Sequence, residues 1–239
     1  MIIIPARVGS TRFPNKVLAL IEDTPMVIRT AQAVSSLDSV VIATDDESVV
    51  EVAKEYGFRA VITSKNHKSG TDRVYEATQI LSLADDEIII NVQADEPFIE
   101  SEVLERVYET IYKFKDRKDV LVASAYKIIS NPEADDPNIV KVVTDSNDFA
   151  LYFSRAKIPY PRDHHFNSFK GHLGIYAYQV KGLREFCSFA PSKLEQIEKL
   201  EQLRVLENGY KIAMSEVETE SFGIDTPEDL ERALKRHTL

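Results

Sequence analysis

The chain has 239 residues, 44% of them hydrophobic, enough for one large α/β domain or one domain with an appendage. Its 29 Lys and Arg against 39 Asp and Glu leave a net charge of −10, which argues against a nucleic-acid partner but allows a local basic loop to hold a nucleotide. The single cysteine, Cys187, excludes an internal disulfide. With no apolar run of membrane-spanning length and a strand starting at residue 2 in place of a signal peptide, a cytoplasmic chain without membrane insertion is expected.

Ile2, Ile3 and Ile4 form a β-branched run suited to a strand buried on both faces. Pro5 stops it, and the loop that follows carries Arg7, Arg12 and Lys16 with Gly9, Ser10 and Thr11. A basic loop at the carboxyl end of a buried strand is where an open α/β sheet binds ligands. The spacing fits neither the dinucleotide fingerprint nor the P-loop, so what remains is fixed positive charge for a polyanion. A helix is then predicted over 26–34, a strand over 39–44 and a helix over 48–56 that stops at Gly57. A strand over 59–63 leads to Ser69-Gly-Thr-Asp-Arg73, where Ser69 and Asp72 have capping-box spacing before a helix over 74–83. Arg73 stands out there, because a cation in a first helical turn opposes the helix dipole and needs another reason.

The next strand, 87–93, is apolar and ends in Ala94-Asp95-Glu96-Pro97; a helix over 103–113 and a strand over 120–126 follow. This alternation means βαβ units in a doubly wound, mostly parallel sheet. The rhythm changes near residue 131. Strands over 139–143, 149–155 and 172–178, with a Pro- and His-rich loop, suggest an antiparallel insertion over 131–180 within a single 1–239 domain, as a lid or dimer element. His164 and His165 read as surface loop. Helices over 182–189 and 193–207, a strand over 211–214 and a last helix after Gly223-Ile-Asp225 complete the chain. In the 193–207 helix, Glu195, Glu198, Glu201 and Gln202 fall in one polar stripe of roughly 120°, and Leu194, Ile197, Leu200, Leu203 and Leu206 cover most of the rest.

Asp95 and Asp225 each follow an apolar strand-like run. Asp95 alone would serve equally well as a helix-entry carboxylate. Thr226 already supplies an N-cap, with Pro227 at the first helical position, which leaves Asp225 for another task. Two carboxylates at loop starts, without a Cys/His cluster, suit a hard cation such as Mg²⁺.

The segment from Pro5-Ala-Arg7 to Lys16 resembles the signature of the sugar nucleotidyltransferases that make CMP-activated acidic sugars, with Asn15 where Gly is usual. Val92-Gln-Ala-Asp-Glu-Pro97 and Gly223-Ile-Asp-Thr-Pro-Glu-Asp-Leu230 resemble the segments that supply that family's metal-binding aspartates, with Ala94 where Gly is usual. The resemblance covers essentially the whole chain. It implies a Rossmann-like nucleotidyltransferase fold, Mg²⁺, a homodimer, and CTP with an acidic sugar as substrates, for lipopolysaccharide biosynthesis. The sugar it implies first is 3-deoxy-manno-octulosonate (Kdo); an 8-amino analogue, a sialic acid, or a non-catalytic nucleotide-binding protein stay open. Arg7, Arg12 and Lys16 would then hold the triphosphate, Arg73 the cytosine, and Asp95 and Asp225 the metal, with Arg7, Lys16 and the two aspartates catalytic. Gln93, Arg155, Arg162, His172, Glu201 and Gln202 match the sugar side, with Glu198 in reserve.

Overall fold

The computed structural model describes residues 1–9, 13–162 and 168–237. Arg12 and the His164–His165 pair lie outside the described residues. The chain opens with β1 (Ile2–Ala6), buried at all five positions as its β-branched run demands. A 3-10 turn (Lys16–Leu18), β2 (Leu20–Ile21) and β3 (Thr24–Pro25) lead into α1 (Met26–Val34). Then come β4 (Val40–Thr44), α2 (Glu47–Glu55), β5 (Arg59–Ile62), α3 (Gly70–Ile80), β6 (Ile88–Asn91), α4 (Ser101–Lys113) and β7 (Val120–Ile129). A short α5 (Asn131–Asp135), β8 (Lys141–Thr144), β9 (Ala150–Ser154), β10 (Phe169–Gln179), α6 (Val180–Ser188), α7 (Lys193–Glu198) and α8 (Leu203–Glu207) follow. The chain closes with β11 (Lys211–Glu216) and α9 (Pro227–His237).

These elements form two compact units. The first holds Met1–Ala84, Ile89–Leu104 and the described part of Glu220–Leu239; the second holds Asp85–Ile88 and Glu105–Thr219. In the first unit β6, β1, β4 and β5 pair in that order, all parallel. From β1 the chain steps outward to β4 and β5, then returns to place β6 on the other side of β1. The strand order therefore reverses between β1 and β6, and the loops leaving their carboxyl ends flank the switch point where such sheets bind ligands. Those loops carry Lys16 and Asp95. The predicted cap of α3 forms, Ser69 Oγ accepting from Asp72 N at 3.1 Å, and α2 is capped by Asp46, which accepts from Ser48 N at 2.9 Å.

In the second unit β7 pairs parallel with β11 and antiparallel with β10, and β8 pairs antiparallel with β10 and β9. The 131–180 segment lies in this unit. A bulge in β10 between Leu173 and Tyr176 is tied by Ser124 Oγ, which lies 3.1 Å from the Leu173 carbonyl and 2.8 Å from that of Ile175.

One predicted element is corrected. The 193–207 helix breaks into α7 and α8 at Lys199, which takes the left-handed φ of 56°. The cause lies in side chains that the helical pattern hides. Arg204 Nε and Nη2 grip both oxygens of Glu195 at 2.8 and 2.5 Å. In a continuous helix nine residues would separate them by about 13 Å along the axis. With the break, the polar stripe disperses and Ile197 is left 66% exposed.

Candidate active site

Three loops of the first unit meet at one ammonium. Lys16 Nζ lies 2.5 Å from Asp95 Oδ2 and 3.0 Å from Asp225 Oδ1. Burial alone would pull the Lys16 pKa down, but the two carboxylates, Asp95 foremost, outweigh it and hold the pKa above the usual lysine value. The backbone fixes the pairing of the loops: Ile224 N donates to Asp95 O at 2.9 Å, and Thr30 Oγ1 holds the preceding carbonyl, Ala94 O, at 3.0 Å. Ser221 Oγ donates to Glu96 Oε2 at 3.0 Å. Gly223 passes so close to Glu96 that a Cβ would meet its Oε1 at 3.3 Å. Asp225 is anchored from the other side, since Asp229 Oδ2 accepts from both Asp225 N and Thr226 N while Thr226 Oγ1 caps α9.

Packing explains why these loops converge. Ile21, Met26, Ile224 and Ala233 form a fully buried cluster onto which Phe13, Phe98 and Phe222 pack. Each of those phenylalanines lies three residues from Lys16, Asp95 or Asp225 along the chain. Apolar burial thus assembles what charge alone would not.

The donor set can be tested against a metal. Among the described residues no group of three His, Cys, Asp or Glu side chains is placed to hold an ion. The two carboxylates themselves suit Mg²⁺, which is commonly held by one or two carboxylates plus substrate phosphates and water.

The two departures from the family pattern both suit the local backbone. Asn15 adopts φ 56° and ψ 25°, the left-handed conformation that Gly favours and Asn tolerates, immediately before Lys16. Ala94 is absent from the positive-φ positions and is buried, so an alanine suits its backbone.

Arg7 is exposed at the end of β1. Arg73 is 3% exposed, and its fork is taken up internally: Nη1 donates to Thr63 Oγ1 at 2.6 Å and Nη2 to Asp45 Oδ2 at 2.8 Å. This is the reason a cation sits in that first turn: it ties the ends of β4 and β5 to α3. Gln93 is half-buried, and its Nε2 donates to the buried Asn91 at 3.1 Å.

The remaining candidates lie in the second unit. His172 Nε2 is 3.0 Å from Ser124 Oγ. With the single Ser124 hydroxyl proton given to the Leu173 or Ile175 carbonyl, the imidazole donates from Nε2 and leaves Nδ1 as an acceptor. Burial pushes the His172 pKa down to about 3, so the ring is neutral. Tyr176, not singled out by the sequence, has its ring 5.6 Å from that of His172. Its hydroxyl is held protonated by burial and then by the Glu201 carboxylate. Glu201 is half-buried and Gln202 buried in the turn after α7. Arg155 is engaged by main chain, Nε donating to Glu198 O at 2.9 Å and Nη1 to Pro137 O at 3.0 Å. Glu198 accepts from Ser154 Oγ at 2.6 Å and Arg155 N at 2.9 Å, and thus ties α7 to β9 in one wall. Beneath them Lys141, fully buried, donates to the carbonyls of Asp136, Ile139 and Arg155 at 2.8, 2.6 and 2.7 Å. Arg162 is exposed.

Residues 1–212 match the family described as cytidylyltransferase. A 3-deoxy-manno-octulosonate cytidylyltransferase of Nitratiruptor sp. is 57% identical, with 97% of each chain covered. The protein of that name in Wolinella succinogenes is 52% identical over 98% of both chains. Among solved structures, a CMP:2-keto-3-deoxy-manno-octonic acid synthetase complexed with CTP superposes with a TM-score of 0.89 at 38% identity, covering 99% of this chain and 97% of that one. The fold is the α/β nucleotidyltransferase fold.

Proposed function

The chain belongs to the cytidylyltransferase family, and from that premise we propose that it transfers CMP from CTP to 3-deoxy-manno-octulosonate, releasing pyrophosphate, to supply a sugar of lipopolysaccharide. The observation that carries this reading is the Lys16–Asp95–Asp225 cluster at the switch point of the parallel sheet. The anomeric hydroxyl of the sugar attacks the α-phosphorus; the new O–P bond forms as the bond to pyrophosphate breaks, and the hydroxyl proton leaves to solvent. Such transfer depends on positioning and charge neutralisation more than on covalent help from the protein. Asp95 and Asp225 would hold Mg²⁺. Bound there, the ion would offset triphosphate charge and acidify the attacking hydroxyl. Arg7, Lys16 and Arg12 supply positive charge to the phosphates. Arg73 serves the nucleotide side as a brace for the loops after β4 and β5.

On the sugar side, neutral His172 offers Nδ1 as an acceptor, and Glu201 and Gln202 offer groups that pair with hydroxyls. Arg162 completes that set. Arg155 shapes the wall through its backbone bonds. A cytoplasmic homodimer is the assembly we propose, with the 131–180 segment as its contact or lid; its β9 bears Leu151, 60% exposed.

The test is pyrophosphate release from CTP, UTP, ATP and GTP against Kdo, 8-amino-Kdo, a sialic acid and a neutral phosphosugar. Turnover is expected with CTP and Kdo. Nucleotide binding without turnover on any sugar would refute the reading.

A further inference from the structure

In the position Lys16 takes between the two carboxylates, it excludes a metal. Its Nζ is 2.5 and 3.0 Å from their oxygens. A Mg²⁺ ion on the same oxygens would sit about 2.0–2.1 Å from them, well inside the space the ammonium fills. Two cations so close repel one another, with the Lys16 side chain 12% exposed and Asp225, at 47%, the most open of the three to solvent screening. Lys16 and the ion therefore compete for one place.

The ammonium rides on a flexible four-carbon stem, so it leaves readily if another anion receives it. Without such a destination, its departure strands a cation in a partly buried site, which is costly. While it stays, it also cancels the repulsion between Asp95 and Asp225, whose loops the Ile224 N to Asp95 O bond holds side by side.

We propose that Lys16 is a displaceable counter-ion that occupies the Asp95–Asp225 site in the nucleotide-free enzyme and yields it to a divalent cation when a triphosphate takes up its ammonium. The inference rests on the reading of this loop as the CTP site. Its consequence is positive coupling: metal alone binds weakly, and nucleotide raises metal affinity beyond what the shared phosphates provide. By linkage the metal raises nucleotide affinity by the same factor.

The experiment is a Mn²⁺ titration of the nucleotide-free, full-length protein, reading free Mn²⁺ by electron paramagnetic resonance. Lys16→Met is expected to bind one Mn²⁺ about tenfold or more tightly than wild type, because the competing charge is gone. Adding Asp225→Asn to that variant should abolish the gain, which locates it. Melting curves give an independent readout: Lys16→Met should melt below wild type in chelator and recover with Mn²⁺, while wild type hardly responds. Lys16→Gln, shorter and polar, repeats the test should the methionine variant fail to fold. Equal Mn²⁺ affinity in wild type and both variants, or tight Mn²⁺ binding by nucleotide-free wild type, overturns the proposal. Calorimetry of CTP with wild type separates the two claims. If CTP does not bind in Mn²⁺, the site reading fails; if it binds but the variants gain no metal affinity, only the counter-ion role fails.

Discussion

Lys141→Met is the most informative test of how the second unit is held. The substitution keeps the length of the stem and deletes the ammonium. Three carbonyls, those of Asp136, Ile139 and Arg155, then lose donors at 2.6 to 2.8 Å. Hydrogen bonds to a charged group are worth about 1.5–3 kcal/mol each, so the gross loss is about 4–9 kcal/mol. Against this, the fully buried ammonium is costly to desolvate, and burial lowers its pKa despite the carboxylates of Asp136 and Asp135 nearby. Removing the charge recovers part of the loss, leaving a net cost of about 3 kcal/mol. For a protein of this size that is a fall of about 6–12 °C in Tm, read by circular dichroism. The carbonyl of Arg155 belongs to the proposed sugar wall, so KM for the acidic sugar should rise while CTP affinity holds. A variant as stable as wild type, or more so, would refute the reasoning, since the ammonium would then cost as much as its hydrogen bonds return.

Asp95→Asn and Asp225→Asn should each cost about a thousandfold in turnover, with the double variant hardly worse than the worse single one; fully additive losses in steady-state kinetics would separate the two carboxylates. His172 titrates at about 3 when folded, below its ordinary 6.5, so the unfolded chain takes up the proton first. Its contribution is therefore intact above pH 6.5 and lost as pH falls toward 3; between pH 6.5 and 5 wild type should lose up to about 2 kcal/mol relative to His172→Gln in urea melts. Asn15→Gly should leave stability within a few tenths of a kcal/mol, whereas Asn15→Val should cost about 1–2 kcal/mol in the same melts, because only the latter resists left-handed backbone.

The parallel core was legible because its signals are local. The isoleucine run of β1, the apolar run of β6 and the capping residues of α2 and α3 each act within a few positions. Lys16, Asp95 and Asp225 were legible as candidates from the apolar or glycine-bearing segments before them, although only Asp95 closely follows a strand, β6; no strand forms over 217–226, and Asp225 comes from the loop before α9. What stayed hidden depends on partners far along the chain. Arg73 is a brace because Asp45 and Thr63 lie beside it, 28 and 10 positions earlier in sequence. The break at Lys199 follows from Glu195 meeting Arg204, which no helical period encodes. Arg155 and Glu198 matched a sugar site by order in the sequence, yet Arg155 donates to main-chain carbonyls and Glu198 accepts from Ser154 Oγ and Arg155 N, and only coordinates reveal that. Tyr176 could have been found from its place four residues after His172 on one strand face.

The charged cluster also explains why its neighbours are aromatic. Bringing two carboxylates and an ammonium out of water is unfavourable until they pair, and pairing needs loops already in place. Phe13, Phe98 and Phe222 supply that placement, because each buries apolar surface on the Ile21–Met26–Ile224–Ala233 cluster. Fully burying such a ring is worth about 1.5–3 kcal/mol, and these three partly buried rings each contribute a share of that against the partial desolvation of the ions. The residues that hold charge and those that hold the loops are thus separate sets three positions apart. If metal and nucleotide exchange with Lys16 as proposed, charge would rearrange at the site while the apolar cluster beneath keeps the loops where they are.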